Sequence, residues 1–273
     1  VTSVPSLKLN DGRAIPQLGL GVYKVADSAA EPLVAGAIAA GCRHIDTATL
    51  YRNERGVGAG VRASGVAREE VFVTTKVWNT DQGRDATLRA FETSLGQLGF
   101  DYVDLYLIHW PVPSQSRFVE TWRTLEELHA GGRARSIGVS NFEPHHLDVL
   151  LRETGTVPSV NQVELHPWLQ QREVRAYDDT HGIITESWSP LARGRIADEP
   201  ALARIAEKHG KTPAQVTIRW HLQLGVVVIP KSGSLERVRS NFDVADFELD
   251  AEDLAAIQAL DGDFRTGPHP DAM

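Results

Sequence analysis

The sequence predicts an α/β fold, a (β/α)8 barrel with an N-terminal β-hairpin and two extra helices. Three observations carry that prediction. Short apolar or β-branched runs alternate with segments of helical spacing along nearly the whole chain. The runs are continuously apolar rather than strictly alternating, as parallel strands covered by helices are. Reactive side chains recur at the C-terminal ends of successive runs, where a barrel of parallel strands assembles its active site.

The opening LKLNDGRAIP reads as a hairpin, with Asp11-Gly12 supplying the positive backbone angles of a tight turn. Strand-like runs follow near 17–21, 42–46, 71–76, 102–109, 134–139, 159–164, 183–188 and 226–229. Between them helical spacing covers 28–40, 53–64, 84–98, 117–131, 143–154, 171–181, 200–209 and 213–224. Two further helical segments, 234–241 and 251–260, follow the last strand. Boundary signals agree. Asp27-Ser28 precedes the first helix and Gly41 closes it, Gly131-Gly132 ends the helix before the fifth strand, and Thr212-Pro213 places Pro in a first turn. No linker, low-complexity tract or repeat divides the chain, so residues 1–273 read as one domain. A doubly wound open sheet is the structural rival.

Composition bounds the function. At 273 residues, 42% hydrophobic and 23% charged, the chain can bury one sizeable core. A net charge of −8 argues against a general nucleic-acid or anionic-membrane surface, while leaving room for a local basic pocket. The single cysteine, Cys42, cannot form an internal disulfide, fits a reducing compartment, and reads as a small buried residue at a strand start. VTSVPSLKLN has neither the basic start nor the apolar stretch of a signal peptide. The longest apolar run, around Val226–Ile229, is far short of the roughly 20 residues that span a bilayer. A cytoplasmic monomer is the expectation.

Several patterns imitate sites without their geometry. Gly56-Val57-Gly58-Ala59-Gly60 carries Val61 where a dinucleotide fingerprint needs glycine, and it lies inside a helical segment. Gly19-Leu20-Gly21 has Lys24 at that position. His145-His146 with Asp148 imitates a metal site, but adjacent helical histidines point in different directions and Pro144 marks a surface helix. Both histidines therefore read as solvent-facing. The chain has no His-Glu-x-x-His spacing, cysteine pair or Gly-x-Ser-x-Gly elbow, so no metal or serine-hydrolase site is expected.

The remaining polar residues form a pattern. Asp46, Lys76 and His109 close the runs CRHID, VFVTTK and YVDLYLIH, and Tyr51 follows the first; Asn141, Gln162, Trp188 and Lys231 end or follow later runs. Alone, Asp46 or Lys76 reads as a strand-end salt bridge, Tyr51 as an amphipathic core cap and His109 as a core histidine. Together, at one end of successive strands, they read as a site, one suited to handing a proton to a developing alkoxide. A tyrosine, with an unperturbed pKa of about 10, needs its phenolate stabilised to act as that acid. A nearby ammonium does this, and a buried ammonium needs a carboxylate partner.

DTATLYRNERGVG (46–58), VFVTTKVWN (71–79), YLIHWP (106–111), SIGVSNF (136–142), NQVELHP (161–167) and IPKS (229–232) together resemble an aldo-keto reductase. The resemblance runs from LGLGVYK (18–24) to NFDVADFEL (241–249) and is strongest to the bacterial 2,5-diketo-gluconate reductase-like branch. It implies a TIM barrel that reduces aldehydes, α-dicarbonyls or keto-sugars with NADPH. The implied catalytic tetrad is Asp46, Tyr51, Lys76 and His109, with Tyr51 as general acid. Gly21, Val22, Tyr23 and Asp46 are implied beside the cofactor, and Ser140, Asn141 and Gln162 at the nicotinamide carboxamide. Trp188 would stack on the nicotinamide, with Ser189, Pro190 and Leu191 along the pyrophosphate. Lys231, Ser232, Arg237 and Asn241 would hold the 2′-phosphate and adenine ribose. Tyr23, Tyr51, Trp78, His109 and Trp110 would wall the substrate pocket. Family members often carry Glu-Asn where this chain has Ser240-Asn241, which removes an acidic adenine contact. Arg193 or Arg195 reads first as a solvated loop arginine and second as a contact for an anionic substrate, and the short tail DGDFRTGPHPDAM predicts an open, permissive site.

Overall fold

The computed structural model describes residues 4–273. β1 (Ser6–Lys8) and β2 (Ala14–Pro16) pair antiparallel around a turn in which Gly12 has φ +89°. Eight parallel strands then form one sheet in sequence order. They are β3 (Leu20–Gly21), β4 (His44–Asp46), β5 (Phe72–Val77), β6 (Val103–Ile108), β7 (Ala134–Ser140), β8 (Val160–Glu164), β9 (Ile184–Trp188) and β10 (Val227–Val228). Bridges from Leu18 to Val228 and from Gly21 to Lys231 bring the last strand to the first and close the barrel.

Among the described residues ten α-helices cover it: α1 (Asp27–Ala39), α2 (Glu54–Ala63), α3 (Arg84–Leu98), α4 (Phe118–Ala130), α5 (Pro144–Glu153), α6 (Arg172–Thr180), α7 (Pro200–His209), α8 (Pro213–Gln223), α9 (Leu235–Phe242) and α10 (Ala251–Gln258). The expected order of strands and helices holds throughout, and the open-sheet rival is excluded by closure. The first and last strands are shorter than their apolar runs, because closure there rests on single bridges and Pro230 has no N–H to extend the ladder. Thr212 and Gln215 form the capping box that opens α8. Asp27 lies inside α1 rather than before it, and its Oδ1 accepts the Gly56 N–H at 2.8 Å.

The glycines of 56–60 are explained by packing. A Cβ on Gly56 would stand 2.2 Å from the Asp27 carbonyl oxygen, one on Gly60 2.7 Å from that of Glu31, and one on Gly58 1.8 Å from that of Leu98. They let α2 lie directly on α1 and on the end of α3.

Strand alternation sorts the β6 side chains: Tyr106 and Ile108 face the helices, while Leu105 and Leu107 face inward. Leu9 and Ile15 of the hairpin pack with that inner layer of Leu105, Leu107, Phe72, Val160 and Val227. Asn10 donates to the Pro158 carbonyl at 2.9 Å, and Asp11 accepts from Ser136 Oγ at 2.6 Å. The hairpin thus plugs the N-terminal end of the barrel, and the opposite end is left for chemistry. Cys42 is fully buried, and burial pushes its thiol up to about 12. Among the described residues no helix is long and apolar enough to cross a membrane.

Gly58→Ala should lower unfolding stability by about 3 kcal/mol, because the backbone of Leu98 cannot move out of the way as a side chain would. Denaturant titration measures this; an unchanged midpoint would show that α2 and α3 can separate at little cost.

Candidate active site

Alternation along the strands directs His44 and Asp46 of β4, Thr74 and Lys76 of β5, Gln162 of β8 and Glu186 of β9 into the barrel. Lys76 is fully buried, and its Nζ donates to both oxygens of Asp46 at 2.7 Å and to the Thr47 carbonyl at 2.9 Å. All three donors of the ammonium are therefore satisfied by the protein itself, out of contact with bulk solvent. Gln162 Nε2 donates to Asp46 Oδ2 and to Glu186 Oε2, each at 2.8 Å.

Tyr51 rides on a single 3-10 turn, Thr49–Tyr51, just past β4. Thr49 Oγ1 ties that turn to β5 by donating to the Lys76 carbonyl at 2.9 Å. The Lys76 ammonium lies 5.3 Å from the centre of the Tyr51 ring, and the His109 ring stands edge-on to it at 5.9 Å. The structure thus gathers Asp46, Tyr51, Lys76 and His109 from three strand ends. Burial, reinforced by Asp46, Tyr23 and Glu186, raises the Tyr51 phenol well above its ordinary range. Burial first, and then the Lys76 charge, pushes His109 well below its ordinary range, so its imidazole is neutral. His109 Nδ1 has no hydrogen-bond partner among the described residues.

Aromatic rings wall the space above. Tyr23 packs 5.0 Å from Tyr51, Trp78 stands edge-on to His109 at 5.0 Å, and Trp110 lies 6.4 Å from Trp188. Gly21 and Val22 are buried where β3 meets β4, with the Val22 N–H donating to the Asp46 carbonyl.

On the other side of the mouth, Ser140 Oγ donates to the Gln162 carbonyl at 2.7 Å. Asn141, held at φ +64°, donates to the His109 carbonyl and accepts the Trp188 indole N–H at 2.8 Å. Its Oδ1 keeps one lone pair, and nothing among the described residues donates to Gln162 Oε1. These oxygens suit the N–H groups of a carboxamide, and half-buried Trp188 offers a ring face beside them. Ser189, at φ +50°, turns the chain toward Pro190 and Leu191.

Lys231, Ser232, Arg237 and Asn241 lie between the end of β10 and the body of α9. Ser232 and Asn241 are buried, whereas Lys231 and Arg237 are exposed and take no part in an ion pair among the described residues. An unpaired cationic corner at the start of a helix after the last strand fits a phosphate. The residues present therefore fit a phosphorylated nicotinamide dinucleotide.

Several features differ from expectation or escape sequence reading. His146 is buried rather than solvent-facing, and its ring lies 4.0 Å from that of His145. Its ring packs edge-on to Phe118 and Phe142, and the tail folds over it so that Asp271 Oδ1 sits 3.1 Å from His145 Nε2 and 3.2 Å from His146 Nε2. Because His146 Nδ1 accepts the Glu143 N–H, its Nε2 carries the proton and has no lone pair to offer a metal, and it makes no hydrogen bond among the described residues. The short tail also crosses the site: Thr266 and Gly267 donate to buried Glu164, and a Cβ on Gly267 would meet the Trp188 ring at 2.7 Å. Arg195 stacks on Trp168 and Phe264, at 5.0 and 4.4 Å, and Arg193 is exposed. Glu186 and His44 were passed over, although two-residue alternation back from Trp188 and Asp46 points to both.

A closed parallel barrel with a buried Lys–Asp pair, a tyrosine and a neutral histidine at the C-terminal strand ends defines an enzyme of the oxidoreductase class. The sequence pattern of the Aldo/keto reductase family matches residues 17–262, and the chain belongs to that family. "Methylglyoxal reductase DkgA" of Yersinia pestis is 52% identical, over 100% of this chain and 99% of its own length. "Glyoxal reductase" of Bacillus subtilis is also 52% identical, over 98% and 97% of the two chains. Both agree with the bacterial branch the motifs indicate. A crystal structure of a Gox0644 mutant in complex with NADPH superposes with a TM-score of 0.96 at 48% identity, covering 99% of each chain.

Asp46→Asn leaves the Lys76 ammonium buried with no carboxylate in direct contact, and should lower stability by about 3–5 kcal/mol. Urea unfolding tests it. A loss well under 1 kcal/mol would mean that Glu186 or water neutralises the charge instead.

Proposed function

We propose that the protein uses NADPH to reduce small aldehydes, α-dicarbonyls such as methylglyoxal and glyoxal, and keto-sugars to alcohols, with Tyr51 as general acid. The observation that carries this reading is the Lys76 ammonium, fixed on Asp46 and 5.3 Å from the Tyr51 ring. NADPH, when bound, supplies the hydride. The names of the methylglyoxal and glyoxal reductases that resemble this chain support the substrate class, and the NADPH-bound relative supports the cofactor.

The chain's own residues account for the rest. Tyr51, whose pKa is raised, holds its proton throughout the neutral range. An alkoxide is a stronger base than a phenolate, so the proton still passes from Tyr51 to the product oxygen. Lys76 stabilises the phenolate left behind, each unit of pKa it offsets being worth about 1.4 kcal/mol. Neutral His109 presents one N–H with which to orient the carbonyl oxygen beside Tyr51. Ser140, Asn141 and Gln162 hold the carboxamide, Trp188 covers one face of the nicotinamide, and Ser189, Pro190 and Leu191 follow the pyrophosphate. Gly21 and Val22 floor the cofactor groove beside Asp46. Lys231, Ser232, Arg237 and Asn241 take the 2′-phosphate and its ribose. Tyr23, Trp78 and Trp110 accept substrates by apolar area, with little polar discrimination.

NADPH oxidation followed at 340 nm with methylglyoxal tests the acid. Tyr51→Phe should lower kcat about a hundredfold or more while still binding NADPH; turnover equal to the parent's would remove Tyr51 from the mechanism. Arg237→Ala should weaken NADPH binding about tenfold and leave NADH binding unchanged. Equal losses for both cofactors would place Arg237 away from the 2′-phosphate.

A further inference from the structure

Glu186 is a fully buried carboxylate for which this chemistry has no use. It points into the barrel two residues before Trp188 and stands in register with Gln162 on β8. The Gln162 amide nitrogen has two hydrogens, one spent on Asp46 Oδ2 and the other on Glu186 Oε2. The amide therefore cannot flip, and its Oε1 is turned away from both carboxylates to the side where the carboxamide would lie.

The second oxygen, Glu186 Oε1, has no hydrogen-bond partner and stands 3.6 Å from His44 Nε2. Burial, with the Lys76 charge adding to it, pushes His44 down to about 3, so this imidazole is uncharged and cannot pair ionically with Glu186. The groups facing Glu186 are Asp46 and His44 from β4, Thr74 and Lys76 from β5, Gln162 from β8, and Tyr51 above them. Val227, in register on β10, is apolar. One ammonium cannot neutralise two carboxylates in a dry interior. Asp46 holds the ammonium directly, so Glu186 is the carboxyl that keeps a proton.

We propose that Glu186 is a positioning residue for carbonyl reduction: neutral, it locks the Gln162 amide toward the cofactor, and ionised, it sets a second negative charge against the Asp46–Lys76 pair. The inference rests on the reductase reading above. Burial, and then the neighbouring Asp46 charge, pushes its pKa well above the ordinary carboxylate range. While it is protonated the Lys76 field is free to act on Tyr51. Once it ionises the new charge raises the Tyr51 pKa further and opposes phenolate formation, so the loss of turnover lies on the alkaline side.

NADPH dissociation constants from tryptophan quenching and pH profiles of kcat, taken on the full chain, test this. Glu186→Leu should weaken NADPH binding about fivefold or more, and Glu186→Gln, which keeps an oxygen to accept from Gln162, should restore it. Glu186→Gln cannot ionise and should move the alkaline fall of kcat upward by about one pH unit or more. Parent-like NADPH binding by Glu186→Leu, or superimposed profiles for Glu186→Gln and the parent, would overturn the proposal. Tyr51→Phe separates the two readings. If it turns over like the parent, the acid mechanism fails irrespective of Glu186; if it is inactive while either Glu186 result is parent-like, only the Glu186 inference fails.

Discussion

Lys76 carries its charge where no water reaches it, and desolvating an ammonium costs several kcal/mol even after the protein relaxes. Asp46 offsets that cost at 2.7 Å, the Thr47 carbonyl takes the third donor, and Gln162 satisfies the remaining side of Asp46. These groups come from three separate stretches of chain, the end of β4, β5 and β8, so the ion pair is stable only when the barrel is closed and in register. The fold and the site are therefore one problem: a slip of one residue in β4 or β5 would turn Asp46 or Lys76 toward the helices.

The architecture is arranged around that constraint. The hairpin seals the N-terminal end with Leu9 and Ile15, which leaves one route for solvent and substrate. The glycines of α2 bring three helices close enough to cover β4 and β5, the strands that bear the pair. At the open end the tail is pinned by Glu164 against Trp188 and by Asp271 against His145 and His146.

What was legible in the sequence was what short-range pattern encodes. Apolar runs marked the strands, capping and glycine signals marked the helix ends, and Asp46, Lys76, Gln162 and Trp188 showed themselves as polar or aromatic ends to apolar runs. The one-turn segment bearing Tyr51 was too short to leave a periodic signal, so only its distance from Asp46 placed it. The burial of His146 leaves no local signal because its ring packs on Phe118, which is remote in sequence, and lies under Asp271 of the tail. The same holds for Gly267, whose lack of a side chain matters only because the Trp188 ring lies against it. Glu186 was hidden for another reason. A carboxylate inside an apolar strand reads as an outward-facing residue until its alternation with Trp188 is counted.

Charge distribution settles how the proposed cofactor would be distinguished. The chain carries −8 overall, so its long-range field repels a dinucleotide phosphate. That field fades within about 8 Å at physiological ionic strength. Inside that distance Lys231 and Arg237 stand without competing carboxylate partners, and buried Ser232 adds a short hydroxyl. Ser240 adds no negative charge beside them. On the proposed reading the 2′-phosphate would thus meet attraction only after docking has begun. Preference between the two nicotinamide dinucleotides would then belong to contact geometry at this corner, while the ion pair in the barrel interior would govern only the chemistry they share.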